Sequence, residues 1–261
     1  MLPELFNIGG FPIRSFGVML LIGFAVGTWL AVRRAEKYGI DKEALTSLAV
    51  WAVIMGVLGS RVFWVLQEWG HYSKNPAEIF RITEGGMTSY GGIAFGLLTV
   101  VIWCKRTGVR FPVIFDLIAA PALVMHGFGR IGCFLNGCCY GSPCDLPWAV
   151  TVHPEVGPLY LGHPAQLYDT LMAFAGVALL LWIEKRTFST RRPGTYGALF
   201  FVLYGLSRFV YELFRSGYSS ESTWGVPMTD AQVMALAMVA GGVVWLLALA
   251  RRQPQADASV S

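Results

Sequence analysis

Three charged residues near the end of one apolar run have the types and the spacing of an anion-binding site. Arg208, Glu212 and Arg215 are separated by four and three residues, which places them on one face of an α-helix. One carboxylate can balance only one of the two guanidinium groups, so a positive charge is left over. Guanidinium groups bind phosphate through paired hydrogen bonds, and the pattern therefore favours a phosphate-bearing ligand. A self-contained ion pair of Arg208 with Glu212 is the structural alternative.

A second group of unusual residues is the stretch 127–141, GFGRIGCFLNGCCYG. It follows an apolar run and holds five glycines and three cysteines, so it predicts a shaped turn rather than a continuing helix. Arg130 is the only charged residue in it. An arginine at the edge of a membrane-length run needs an anion or a buried carboxylate as its partner. The simpler interpretation is an arginine that reaches into lipid headgroups at the end of a helix.

Four cysteines form a C-x4-CC-x4-C pattern: Cys133, Cys138, Cys139 and Cys144. The pattern lacks the CxxC pairs that are typical of zinc sites. The sequence therefore favours packing of small residues here and assigns no metal ligand. A disulfide bond through Cys144 and a metal site are the alternatives.

Other polar residues are expected at the same depth as these two groups. Arg61 lies about one turn before the end of the second apolar run, Tyr90 opens the third, and Asp169 lies in the first turn of the fifth. Unrelated structural charges would have no reason to gather at one membrane face. We therefore expect these residues to meet around an anionic lipid headgroup.

The composition indicates a membrane protein. Of the 261 residues, 55% are hydrophobic and only 14% are charged, whereas soluble domains carry about a quarter charged residues. Met1–Pro12 lacks the basic region of a cleavable signal peptide, so the first apolar run is expected to be retained. We predict an all-α, polytopic membrane helix bundle of about seven transmembrane helices, at 15–32, 44–66, 88–104, 112–127, 165–183, 195–214 and 231–250.

The basic residues predict how these spans are oriented. Clusters at 33–42, 105–110, 185–192 and 251–252 lie in alternate connections, so the positive-inside rule makes them cytoplasmic. The N-terminus is then outside and the C-terminus is cytoplasmic. Residues 1–252 are predicted to form a single transmembrane catalytic domain, with an outer-side arm at 67–87, an outer-side loop at 130–164 and a disordered tail at 253–261.

Seven segments, taken in order, resemble the bacterial prolipoprotein diacylglyceryl transferases. The similarity runs from Phe6 to about Ser216. The segments are LFNIGGFPIRSFGVMLLIGF near the N-terminus, GSR at 59–61, GGMTSYGG at 85–92, DLIAAP at 116–121, GRIGCFLNGCCYG at 129–141, HPAQLYD at 163–169 and YGLSRFVYELFR at 204–215.

The resemblance implies a multi-pass transferase of the bacterial cytoplasmic (inner) membrane, with its active site toward the outer leaflet. Such enzymes move the diacylglyceryl group of phosphatidylglycerol to the lipobox cysteine of a prolipoprotein signal peptide, forming a thioether and releasing glycerol 1-phosphate. The thiol must become a thiolate to attack carbon, and the departing phosphate must be stabilised. The implied partners are phosphatidylglycerol, prolipoprotein signal peptides and membrane lipids, with no nucleic acid and no cofactor.

The matching motifs also imply roles for residues of this chain. Catalytic roles fall to Arg208, to Glu212, and to Tyr90 at the position of the family's proposed base. The expected substrate-binding residues are Arg61, Arg130, Asn136, His163, Gln166, Tyr168 and Arg215.

Four residues depart from the family pattern. Tyr90 stands where many members have a histidine, and a phenol is a poor base at neutral pH. Cys133 replaces an asparagine, Cys138 replaces a glutamate, and Phe16 replaces a tyrosine. The binding roles therefore carry over more directly than the identity of the base.

Two other functions use the same residues. A transporter of an anionic solute would use the arginines, but transporter sites usually lie near the membrane midplane between internal repeats. A membrane thiol–disulfide enzyme would use Cys138 and Cys139, which are adjacent rather than spaced as CxxC.

Overall fold

The chain is built mainly of α-helices. The computed structural model describes residues 2, 4–8, 11–80, 86–154, 157–216 and 228–251. Within these ranges the predicted helical fold is confirmed, whereas the predicted tail at 253–261 lies outside them. The helices are α1 Ser15–Ala35, α2 Lys42–Gln67, α3 Trp69–Tyr72, α4 Ser89–Thr107, α5 Phe111–Asn136, α6 Ala165–Thr187, α7 Thr195–Phe214 and α8 Asp230–Arg251, with 3₁₀ turns at Glu36–Tyr38 and Pro76–Phe80.

Six of the described helices are long and apolar enough to cross a membrane: α1 with the 3₁₀ turn that follows it, α2, α5, α6, α7 and α8. The other long helix, α4, has 19 residues and is not in this group, so a seventh span stays a prediction. Large apolar side chains such as Leu21 and Val244 are exposed, while the carboxylates of Asp116 and Asp169 are buried. An apolar exterior around buried charges is what a multi-pass membrane protein requires.

Two compact units are distinguished within the chain. The larger comprises Met1–Leu30 and Phe115–Ser261, and the smaller comprises Ala31–Ile114. The single domain predicted for residues 1–252 stays a prediction.

Glycines allow close contacts between helices inside each unit. In the larger unit, a Cβ atom added to Gly23 of α1 would lie 2.7 Å from the Cβ atom of Phe128 on α5. In the smaller unit, Gly59 of α2 and Gly91 of α4 face each other so closely that an added Cβ on either would clash with the other's carbonyl oxygen. Small residues at these crossings let the helix backbones approach.

One buried carboxylate fixes α5 against the turn between α6 and α7. Asp116 accepts hydrogen bonds from Arg191 Nη1 at 2.7 Å and from the backbone N–H groups of Gly194 at 2.9 Å and Gly197 at 2.8 Å. Arg130 lies fourteen residues further along α5, which is about 21 Å at 1.5 Å per residue. The Asp116 contacts therefore mark the end of the larger unit opposite to Arg130.

Among the described residues, two short antiparallel strand pairs are present in addition to the helices of the all-α prediction. The pairs are β1 Glu4–Ile8 with β2 Phe11–Arg14, and β3 Val150–Val152 with β4 Tyr160–Gly162. Strands of three to five residues are too short to show clear alternation of apolar and polar residues, which explains why they were not predicted.

Candidate active site

One buried carboxylate joins three helices of the larger unit. Asp169, near the start of α6, is fully buried. Its Oδ2 atom accepts from Arg130 Nε at 2.7 Å and lies 3.1 Å from His126 Nε2, both on α5. Its Oδ1 atom accepts from the Ser207 hydroxyl of α7 at 2.6 Å. Asp169 therefore sets the positions of α5, α6 and α7 relative to one another at this end.

Neither His126 nor Ser207 was predicted to take part in the site. His126 lies four residues before Arg130, on the same face of α5, so this spacing was the available signal. Ser207 directly precedes Arg208 and had no distinguishing pattern around it.

The charged helical face predicted at residues 208–215 is confirmed. Arg208 Nη2 lies 3.1 Å from Glu212 Oε2, and Arg215 Nη1 lies 3.6 Å from the same oxygen. The side chain of Glu212 is 1% exposed, whereas those of Arg208 and Arg215 are 19% and 24% exposed. Glu212 is therefore the buried partner, and the two guanidinium groups remain within reach of a ligand.

A buried tyrosine brings these two groups of charges together. The guanidinium carbons of Arg130 and Arg208 lie 4.4 and 5.0 Å from the ring centroid of Tyr211, which is fully buried. Together with Arg215, the site contains three arginines and two carboxylates, those of Asp169 and Glu212. These five groups therefore carry a surplus of one positive charge.

The three guanidinium groups keep hydrogen-bond donors for a ligand. Each guanidinium has five N–H donors, and the carboxylate contacts occupy Nε of Arg130, Nη2 of Arg208 and Nη1 of Arg215. Arg215 Nε is buried and has no acceptor among the described residues. The oxygens of a phosphate would supply acceptors for such donors.

The end of α5 differs from the prediction. The stretch 127–141 was predicted to be a turn from Gly127 onward, but α5 continues to Asn136. The glycines inside the helix serve close packing instead, since added Cβ atoms on Gly127 and Gly132 would lie 3.0 Å from the rings of Phe174 and Phe16. Only residues 137–141 form the predicted turn.

That turn is tied to α6 and α7 by its carbonyl groups. Gly137 and Cys139 have φ angles of 78° and 59°, and Cys139 is the only non-glycine residue with positive φ among those described. The Cys138 carbonyl accepts from Gln166 Nε2 at 2.7 Å, and the Cys139 carbonyl accepts from the Tyr211 hydroxyl at 3.0 Å. Gln166, predicted to bind substrate, therefore contacts the turn.

Three cysteine side chains converge beside the turn. The Sγ atoms of Cys133, Cys138 and Cys139 all lie within 4.8 Å of one another. Hydrogen bonds from the thiols of Cys133 and Cys138, together with the Arg130 guanidinium, lower the pKa of the Cys139 thiol. Cys144 is outside this group, and all five cysteines are free, so the disulfide alternative has no support.

A cluster of aromatic side chains connects the loop that precedes α6 to the end of α7. The Tyr168 hydroxyl accepts from Trp148 Nε1 at 2.8 Å and lies 3.3 Å from His163 Nδ1. The rings of His163 and Tyr168 lie 5.2 and 5.3 Å from the ring of Phe214. Asn136, the last residue of α5, is exposed. The substrate-binding roles of these residues stay predictions.

Arg61 and Tyr90 belong to the smaller unit. Arg61 is buried and donates to the backbone carbonyls of Glu78, Ile79 and Gly86 at 2.7, 2.9 and 3.0 Å. These bonds hold the described parts of the arm at Glu78, Ile79 and Gly86 against α2, and a direct contact of Arg61 with substrate stays a prediction. Tyr90, in the first turn of α4, is 79% exposed and so could contact a ligand.

Comparisons with known proteins found one matching family model and many similar chains. A family model described as prolipoprotein diacylglyceryl transferase matches residues 3–248. The phosphatidylglycerol–prolipoprotein diacylglyceryl transferase of Gloeobacter violaceus is 34% identical over 263 residues, covering 98% of this chain and 96% of that protein. Proteins of the same name from Bacillus cereus and Bacillus mycoides are 32% and 33% identical over 261 residues, covering 96% of this chain and 93% of each.

Proposed function

The chain belongs to the prolipoprotein diacylglyceryl transferase family, and we propose that it transfers the diacylglyceryl group of phosphatidylglycerol to the lipobox cysteine of prolipoproteins. The reaction joins the group to the cysteine as a thioether and releases glycerol 1-phosphate. The observation that carries the proposal is the arginine cluster of α5 and α7, which has one more positive charge than its carboxylates balance. The transporter and thiol–disulfide functions have no support from these relatives.

Arg130, Arg208 and Arg215 hold the phosphate of phosphatidylglycerol in this proposal. Negative charge builds up on the phosphate as the bond between its ester oxygen and the glycerol carbon breaks. Guanidinium groups that are already in place stabilise this charge more in the transition state than in the bound lipid. Asp169 and Glu212 act through the arginines, because each holds a guanidinium group in a fixed position.

The remaining predicted residues contact the other parts of the substrates or support the site. Asn136, His163 and Tyr168 lie around the turn after α5 and are proposed to contact the glycerol or the signal peptide. Gln166 is 1% exposed and bonded to the Cys138 carbonyl, so its role is to hold the turn.

We also propose that the site faces the outer leaflet of the bacterial cytoplasmic membrane. Arg191, which belongs to the basic cluster 185–192, contacts Asp116 near the start of α5, and the positive-inside rule makes that end cytoplasmic. Arg130, at the other end of α5, is then on the outer side. The full topology includes α4 as a seventh span, with the N-terminus outside and the C-terminus in the cytoplasm.

The purified protein, reconstituted in vesicles that contain phosphatidylglycerol, tests the function with a lipobox peptide. The peptide is expected to gain the mass of one diacylglyceryl group while an equal amount of glycerol 1-phosphate is released. A peptide with serine in place of its cysteine should stay unmodified, and the gene should rescue a strain depleted of its own transferase. A folded, inserted protein that modifies no peptide would contradict the proposal.

Replacing Tyr90 with phenylalanine is expected to lower the transfer rate by about fivefold without abolishing transfer. The exposed hydroxyl is proposed to donate one hydrogen bond to the phosphate or glycerol, and one such bond contributes about 1 kcal/mol. Tyr90→His should be tolerated, because histidine is common at this position in the family. The measurement is the transfer rate against pH in identical membranes. Complete loss in Tyr90→Phe, with lipid binding intact, would instead make this residue the base.

A further inference from the structure

The three-cysteine group has a donor set that could bind a metal ion. Cys133 lies three residues after Arg130 on α5, while Cys138 and Cys139 come from the turn that follows. Their Sγ atoms lie within 4.8 Å of one another. Zinc bound by thiolates has Zn–S bonds of about 2.3 Å, which in a tetrahedral site places the sulfurs about 3.8 Å apart. The three sulfurs, all within 4.8 Å of one another, are close to that separation.

The backbone that presents these sulfurs is held from outside the group. Cys139 has a φ angle of 59°, a left-handed conformation that side chains other than glycine seldom adopt. The backbone carbonyl groups of Cys138 and Cys139 accept hydrogen bonds from Gln166 Nε2 at 2.7 Å and from the Tyr211 hydroxyl at 3.0 Å. Simple packing of the two cysteines would not require a positive φ angle at Cys139. It would also not require the hydrogen bonds from Gln166 and Tyr211 that hold this backbone.

We propose that Cys133, Cys138 and Cys139 bind one zinc ion, and that the fourth position of this ion takes the lipobox thiol of the substrate. The described residues include no fourth histidine, cysteine or carboxylate in the group. Three protein ligands with one open position are typical of a catalytic zinc site, whereas structural sites have four. The inference rests on the proposed function for its substrate.

Such a site would supply the thiolate that the transfer needs. On binding zinc the lipobox thiol loses its proton to solvent, because a coordinated thiol is deprotonated at neutral pH. The sulfur then attacks the glycerol carbon, the carbon–oxygen bond breaks, and glycerol 1-phosphate leaves with the electron pair. The thioether formed is a weaker ligand than a thiolate and is replaced by water. No protein base is then required at position 90, where this chain has tyrosine.

Metal content is measured first, on purified protein loaded with zinc and passed through a desalting column. One zinc ion per chain is expected in the wild type and in the matched control Cys144→Ser, whose cysteine lies outside the group. In Cys139→Ser the affinity for zinc should fall at least about tenfold. Cobalt in place of zinc should give sulfur-to-cobalt charge-transfer absorption, which changes when the lipobox peptide is added but not with its serine analogue. Absence of zinc and of this absorption in the wild type would overturn the inference.

Transfer is then compared between chelator-treated and zinc-loaded wild type, which needs no variant to fold. Loss of transfer on chelation and its recovery with zinc are expected. Full transfer by the metal-free protein would overturn the zinc site's catalytic role and leave the proposed function intact. If zinc-loaded protein transfers nothing from phosphatidylglycerol, the proposed function fails, while the cobalt spectrum with the peptide still decides whether the site takes a thiol.

Discussion

Replacing Arg208 with alanine is expected to reduce the rate of diacylglyceryl transfer by about 10²–10³-fold, the usual effect of removing one donor that stabilises a developing negative charge. Its guanidinium lies at the surface of the arginine cluster, next to Tyr211. Glu212 would keep Arg215 as a partner, so the protein should still fold and insert. The measurement is the rate of peptide modification per inserted molecule.

Two further variants separate the phosphate contact from a general effect of charge. The Arg208→Lys variant should transfer little faster than Arg208→Ala, because an ammonium group cannot make the planar two-point contact with phosphate. Arg186→Ala is the matched control: Arg186 also packs on an aromatic ring, that of Trp182 at 5.2 Å, but in the basic cluster at the other end. It should leave the rate unchanged. Near-normal transfer by Arg208→Ala would mean that this arginine does not act on the phosphate.

Replacing Asp169 with asparagine is expected to lower the free energy of unfolding by about 3–5 kcal/mol, because it removes one partner of a buried ion pair. The carboxylate is fully buried and holds Arg130, His126 and Ser207 together. Loss of its charge also frees the Arg130 side chain, so the transfer rate of the molecules that remain folded should fall as well. Denaturant unfolding in detergent and transfer per folded molecule measure the two effects separately.

Asp116→Asn is the matched control for this variant. Asp116 is also fully buried and is paired with Arg191, but it lies at the opposite end of α5. The Asp116→Asn protein should lose about as much unfolding free energy as Asp169→Asn, while its folded molecules transfer at the normal rate. If Asp169→Asn behaved in the same way as Asp116→Asn, the Asp169 contacts would be structural only.

Local patterns predicted the helical architecture and the charged face of α7. Arg208, Glu212 and Arg215 share a face because the α-helix repeats every 3.6 residues, whatever surrounds it. The end of α5 was predicted wrongly for a different reason. In the sequence, a glycine that ends a helix cannot be told from a glycine that lets another helix approach. Only the contacts of Gly127 with Phe174 and of Gly132 with Phe16 show that these two glycines serve close packing.

The sequence by itself determined which residues have the chemistry to bind a phosphate, since that depends on side-chain type and local spacing. Only the tertiary structure decided which of them act together. Asp169 became the partner of Arg130, and Tyr211 came to lie against two arginines, through the packing of α5, α6 and α7. Likewise, Cys139 meets the other thiols because its carbonyl is held by α7 in a left-handed turn. Contacts between residues far apart in the chain depend on how whole helices pack, and local sequence patterns do not specify that packing.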